Sequence, residues 1–421
     1  MSLDAWLTLA SRPLHRAQDL DPLLEAIGDR RVVLLGEASH GTREFYEWRT
    51  EVTRRLVAEK GFRFVAVEGD WPACREVDRH VRGQAHAQPE DALRAFGRWP
   101  SWMWANQETV ELAGWMRSWN DHVDEARRAG FYGLDVYSLW ESLDAVLAWL
   151  EESGHPASEA AERALRCFEP YARDEQDYAR ATTWVPESCQ EEVVRLLSEM
   201  RPAGGAAQDA DAFDAEQNAL VAKNAEAYYR AMVRSGAESW NLRDRHMMDT
   251  LDRLLARHGK GVVWAHNTHV GDARATDMKD EGMLNLGQLA RERHGDDAFA
   301  VGFTTFEGHV VAARTWGAPM REMRVPPAEE KSWERRLHEA LGHDALLLTR
   351  DAPHEALRWR GHRAIGVVYH PEREAWGNYV PTSLPRRYDA VIHVERSSAV
   401  RPLWASPMDL AEPPETWPFG E

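Results

Sequence analysis

The sequence is short of cysteine, of basic charge and of long apolar runs, and each shortage removes a class of protein. No apolar run approaches the roughly 18 to 20 residues that a membrane-spanning helix needs. The N-terminus, with Asp4 and Trp6 early, lacks the basic region and apolar stretch of a secretory leader. The expectation is a soluble, cytoplasmic protein with no membrane partner. Three cysteines, Cys74, Cys167 and Cys189, are too few and too scattered for a disulfide framework or a CxxC metal knuckle, so reduced thiols are expected. The formal net charge of −18 opposes binding to nucleic acid or to an anionic membrane, and suits a neutral or cationic small molecule better. There is no internal repeat, heptad array or low-complexity tract. The segment RPAGGAAQDADA, residues 201–212, is the best candidate for a mobile loop.

What is present is a chain of 421 residues, 43% of them apolar, long enough to fill a sizeable core. Nineteen tryptophans are the odder number. Several fall between 99 and 119, where flat rings line a pocket or simply fill a core. The N-terminal third alternates short β-like runs (RVVLLGE, RFVAVEGD, FYGLD) with helical patterns at Thr42 to Glu59, Ala73 to His80 and Trp104 to Arg128. Phe45, Trp48, Val52 and Leu56 fall on one helical face that should pack on a sheet. From about Leu139 to His258 the strand signal fades into helical spacing rich in Ala, Glu, Arg and Leu. The strand pattern then resumes through GVVWAHN, AFAVGFTTF, HVVAARTW, DALLLTR, RAIGVVYH and YDAVIHV. The fold expected is α/β: a central mostly parallel or mixed sheet flanked by helices, with a large all-helical insertion covering the cleft. In these terms residues 1–138 and 259–421 are two parts of one α/β core, and 139–258 the insertion.

Ligands of open α/β sheets sit beyond the carboxyl ends of the strands. Here four strand ends finish in ionisable residues: Glu37 and His40, Glu68 and Asp70, Asp135, and His266 with His269. Taken singly, each has an ordinary explanation as a cap, an arginine partner or a core histidine. Taken together they would place several costly carboxylates in the core unless they share a solvated cleft. Histidine is the natural general base near neutral pH, and a neighbouring carboxylate holds its tautomer, which suits His40 with Glu37 or Glu68. GEASHG differs from the nucleophile elbow G-x-S-x-G, because two residues separate Gly36 from Ser39, so water activated by His40 is favoured over a serine nucleophile. Glu37, His40, Glu68, His266 and His269 also form a plausible metal-ligand set, although there is no HExxH, and the three-residue offset of HNTH converges on a helix rather than at a strand exit.

With the long segment LLGEASHGTREFYEWRTEVTRRLVAEKGFRFVAVEGDWP, the tryptophan-rich SWMWANQETVELAGWMRSWN, and FYGLDVYS, NLRDRHM and VVWAHNTHVGDARAT in that order, the chain resembles the erythromycin esterase family over nearly its whole length. The resemblance implies an α/β core with a helical subdomain over a deep cleft, and hydrolysis of a macrolide lactone ester without a required metal, hence a link to antibiotic resistance. By motif match it implies His40 as general base, with Glu37, Glu68, Arg49 and His266 in the catalytic set. Glu108 and Arg243 match positions near the cleft. Trp104, His269 and Asp135 complete the expected substrate-binding set, and no cofactor is expected. The partner expected is a small-molecule ester or lactone. Two alternatives remain open: a metal-dependent hydrolase or peptidase on a related fold, and a small-molecule-binding protein without turnover.

Overall fold

The computed structural model describes residues 1–171, 178–181, 189–200, 209–233 and 236–404. Eleven strands run in chain order as β1 (Ser11–Pro13), β2 (Val32–Leu35), β3 (Phe64–Val67), β4 (Gly130–Gly133), β5 (Gly261–Trp264), β6 (Ala298–Ala312), β7 (Arg321–Val325), β8 (Ala345–Leu348), β9 (Arg360–Arg363), β10 (Tyr379–Thr382) and β11 (Ala390–Ser397). Nine form a mixed sheet in the order β1-β8-β11-β6-β2-β5-β3-β4, with β7 added to β6, while β9 and β10 pair separately. The stretch from β11 to β4 is parallel throughout; β8 and β7 join it antiparallel, and β1 pairs antiparallel with β8 at the edge. The sheet therefore draws strands from both sides of the helical region, as the strand patterns at the two ends of the chain imply.

Alternation along the parallel strands divides the core into two layers. Val33, Leu35, Val65, Val67, Val262, Trp264 and Phe299 face one buried cluster. Val32, Leu34, Phe64, Ala66, Val263 and Ala298 face the other. Strands buried on both faces read as near-continuous apolar runs, which is why VVLL and FVAV stand out in the sequence. Helix Arg43–Lys60 covers the first face through Phe45, Val52 and Leu56, all fully buried, with Trp48 half-buried beside them. Helix Ala237–His258 covers the second through Met247, Met248, Leu251, Leu254 and Leu255. The helices Leu139–Ser153, Ser158–Phe168, Gln190–Met200 and Ala210–Met232 share a third apolar cluster of their own.

Several sequence expectations change on the structure. AFAVGFTTF and HVVAARTW begin as one 15-residue strand, β6, because the backbone continues across Gly308 and β7 pairs with its far half. RAIGVVYH is not a regular strand: β9 ends at Arg363, and Ile365 and Val368 make single bridges to Ser39 and Ala313. Cys167 and Cys189 are joined in a disulfide with a Cα–Cα distance of 5.8 Å, which corrects the expectation of reduced thiols. The 22-residue separation gives no hint of this, since helix packing in the third cluster brings the two together. Cys74 is free and buried. Residues 201–208 of the segment expected to be mobile lie outside the described residues. No helix among the described residues is long and apolar enough to cross a membrane.

Candidate active site

Because β2, β5, β3 and β4 are parallel neighbours in near-level register, Leu35, Trp264, Val67 and Gly133 end at one edge of the sheet. Whatever follows them is delivered to the same place. After β2 the chain turns through Glu37 to Thr42 before helix Arg43–Lys60 begins. The turn lies flat against β6: the Gly41 carbonyl accepts from Val311 N at 3.1 Å and Val400 N at 3.0 Å, and an added Cβ at Gly41 would collide with the Val311 carbonyl. Glycine is required here for close approach.

This turn presents His40 to Glu37, whose Oε1 lies 2.8 Å from Nδ1. The other Glu37 oxygen forms an ion pair with Arg49 Nη2, 2.6 Å away. Glu37 and Arg49 are fully buried. The Arg49 guanidinium lies between the rings of Tyr46 and Trp264, 4.5 Å from each centroid. A buried carboxylate and arginine need such pairing to offset their desolvation. The carboxyl oxygen opposite Nδ1 acts as acceptor, which places the His40 hydrogen on Nδ1 and leaves the Nε2 lone pair free. Tyr46 donates to the His40 carbonyl at 3.0 Å and so fixes the backbone as well. Ser39 bonds the Thr42 hydroxyl instead of either histidine.

Across from His40 stands His266, with ring centroids 4.9 Å apart. Where a strand exit is expected, the HNTH segment forms a single helical turn, Asn267–Val270, with His266 as its N-cap. The turn sends the two histidines in different directions. His266 Nδ1 takes the Thr268 hydroxyl at 2.8 Å and also accepts from Thr268 N, so the hydrogen is on Nε2, which has no partner among the described residues. Burial pushes the His266 imidazole well below its usual value. His266 is therefore a neutral donor near pH 7.

Glu68 anchors the layer beneath. Its Oε2 accepts from His266 N at 2.8 Å and its Oε1 from Arg243 Nη2 at 2.8 Å. Burial alone would raise this carboxyl, but the charges of His269 and Arg243 hold it well below the usual carboxylate range. Arg243 also forks onto Asp135, at 2.9 and 2.6 Å, and lies 4.8 Å over the Tyr137 ring. His269 is buried behind these groups, stacked on Trp240 with centroids 4.5 Å apart and planes 10° apart. Asp70 pairs with Arg98 at 2.9 Å, and burial raises its carboxyl to about 6 despite that partner.

The structure thus brings together Glu37, His40, Arg49, Glu68, Asp135, Arg243, His266 and His269. Glu108 lies apart from this network, with both its oxygens on Arg401, at 2.8 Å from Nε and 3.1 Å from the backbone N. Trp104 is buried, its indole donating to the Glu68 carbonyl at 2.9 Å and its ring packed near Tyr46. Trp99 and Trp102 are buried too. Sequence reasoning did not single out Asp244, which meets His269 Nδ1 with both oxygens at 3.0 Å. The signal was there: Asp244 occupies the apolar stripe of its helix, three, four and seven residues before Met247, Met248 and Leu251.

The carboxylates available to a metal are already engaged, Glu37 by His40 and Arg49, Glu68 by His266 N and Arg243. Among the described residues no group of three or more His, Cys, Asp or Glu side chains is arranged to hold a metal ion.

The sequence profile described as erythromycin esterase matches residues 57–397. The chain is 22% identical over 419 residues to erythromycin esterase type II of Escherichia coli, spanning 92% of this chain and 94% of that protein. It is 20% identical over 429 residues to the putative hydrolase YbfO of Bacillus subtilis, spanning 93% and 90%. Among solved structures, a succinoglycan biosynthesis protein matches with a TM-score of 0.78 at 20% identity, over 95% of this chain and 97% of that one. A histidine-to-asparagine mutant of erythromycin esterase EreC in its open conformation matches with a TM-score of 0.67 at 18% identity, over 92% and 98%. At these identities the structural likenesses speak to the fold, while the profile match, running through most of the chain, shows that this protein belongs to the erythromycin esterase family, and that membership supports a hydrolase acting on a small molecule.

Proposed function

We propose that the protein is a carboxylic-ester hydrolase that cleaves an ester or macrolactone with water activated by His40. The observation that carries this reading is the chain Arg49–Glu37–His40 facing the Nε2–H of His266, which has no partner among the described residues, across 4.9 Å between ring centroids. In this scheme the His40 Nε2 takes a proton from water as its oxygen attacks the carbonyl carbon. The imidazolium that forms is stabilised by Glu37. His266 Nε2–H is the donor for the oxyanion, a role in which a preplaced dipole contributes most because charge develops there. His40 then returns its proton to the leaving alkoxide, which completes a lactone opening to a hydroxy acid. Arg49, sealed between two rings, acts through Glu37, and Glu68 keeps an anion beneath the histidines. No step is routed through a metal.

A panel of macrolides and simple aryl esters, read by product mass, tests the reading. Addition of one water to at least one member is expected, unchanged after dialysis against a chelator. Saturable binding without product would replace it with a non-catalytic binding role, and activity lost to chelator and restored by a divalent metal would replace it with a metal-dependent hydrolase.

A further inference from the structure

One buried carboxylate has no part in the scheme above. Asp244 is fully buried in helix Ala237–His258, one residue after Arg243. Both its oxygens lie 3.0 Å from His269 Nδ1, and its Oδ1 also accepts from Leu286 N at 2.7 Å. The same helix end grips the surroundings at two further points. Trp240 stacks on the His269 ring and donates to the Leu284 carbonyl at 2.7 Å, and Asn241 takes Leu284 N at 2.9 Å. His269 is thereby fixed in plane and in depth. On its far side, Nε2 lies 3.4 Å from Glu68 Oε1 and 3.1 Å from Arg243 Nη1.

We infer that Asp244 is a positioning residue of this site: acting through His269, it fixes a positive charge against Glu68 beneath the two catalytic histidines. The inference rests on the hydrolase reading for its effect on rate, but its electrostatic core stands without it. The groups facing His269 are Asp244, Arg243 and Trp240 from the helix, Glu68 from the end of β3, and His266 from its own turn. Arg243 next to an imidazolium is a repulsive contact. Three carboxylates, Asp244, Glu68 and Asp135, surround the two cations and outweigh it. Burial opposes the charge on His269, yet Asp244 and Glu68 raise the imidazole to about 9. The alternative is a neutral ring whose Nε2 accepts from Arg243, and the two differ by one proton that is directly observable.

The role of that charge is to keep Glu68 anionic and aligned. Glu68 holds the backbone of His266 and hence the direction of its Nε2–H donor. With Asp244→Asn, burial is left unopposed on one side and His269 loses its proton near neutrality. Charge at the site floor then disappears as pH rises, and the donor loses its fixed anchor.

The test is a nitrogen-15 titration of the full chain, with the His269 ring assigned by comparison with His269→Gln. In the wild type both ring nitrogens are expected to stay protonated to about pH 9, and in Asp244→Asn to lose one proton below about pH 7. A wild-type His269 already neutral at about pH 7 overturns the inference, whether or not the variant folds. With para-nitrophenyl acetate as probe, the alkaline limb of kcat/KM in Asp244→Asn should move down by at least about one pH unit, with activity near pH 6 within about threefold of wild type. A uniform loss at every pH would assign Asp244 a merely structural part. Should the wild type leave this ester intact, the hydrolase reading is what fails, and the ring titration still decides the charge on His269.

Discussion

At the residue scale, the site is held by a simple exchange of charge. Three buried carboxylates near the histidines have an arginine within hydrogen-bond reach: Glu37 with Arg49, Glu68 and Asp135 with Arg243. His266 has been left neutral by burial and His269 charged by its neighbours, although the two are three residues apart. Environment, not residue type, sets their roles. Histidine and glutamate at strand ends were visible in the sequence. Their tautomers were not, because these depend on contacts with Glu37, Thr268 and Asp244 that come only from the folded chain. Outside the site, Glu334 shows the cost of burial without full pairing. It accepts from Arg363 N at 2.9 Å through one oxygen, has no hydrogen-bond partner for the other among the described residues, and burial raises its carboxyl to about 7. A carboxyl raised on folding binds its proton more tightly in the native state. Its stabilising contribution is therefore full below the ordinary carboxylate range and is lost as pH rises through about 7. Glu334→Gln should remove this loss, at most about 3 kcal/mol by linkage, so its melting temperature should fall less between about pH 5 and 8 than that of the wild type. Parallel curves for the two proteins would show that Glu334 does not titrate in this window.

At the scale of the element, the turn between β2 and helix Arg43–Lys60 decides whether the site exists. Apolar VVLL and the amphipathic stripe after it make strand and helix legible. The path between them was legible only as small residues that permit a turn. The reason for Gly41 is its neighbour, the Val311 carbonyl of β6, a residue 270 positions away whose proximity no local pattern records. The HNTH turn is similar: its helical form follows from Asn267, which bridges to β6 by donating to the Phe303 carbonyl at 2.7 Å. Gly41→Ala should cost about 1 to 3 kcal/mol by overpacking and depress activity by shifting His40. Gly114→Ala, in the interior of helix Gln107–Asp121 with open space around the added methyl, should be neutral or stabilising by up to about 1 kcal/mol. Chemical denaturation of both checks this. Equal stability for the two variants would mean that the turn can yield where close packing says it cannot.

At the scale of the whole molecule, parallel strands gather residues that are distant in sequence. Residues 37, 68, 135 and 266 meet because β2, β3, β4 and β5 are adjacent and run the same way. The helical region between β4 and β5 contributes the underside of the site through Arg243 and Asp244. Topology was thus legible where apolar runs announced strands, and hidden where function came from polar residues set among the buried positions of a long helix. The Cys167–Cys189 disulfide was hidden for the same reason, and it is a bond more typical of oxidising compartments than of the cytoplasmic setting the sequence suggests. The central claim is that His40, oriented by Glu37, activates the attacking water. It is tested most directly by single-turnover hydrolysis of a cleaved ester by wild type and His40→Ala, with melting temperatures measured alongside. A loss of at least about 100-fold is expected, with a melting temperature close to that of the wild type; turnover within a fewfold of wild type in the folded variant would rule out His40 as the base.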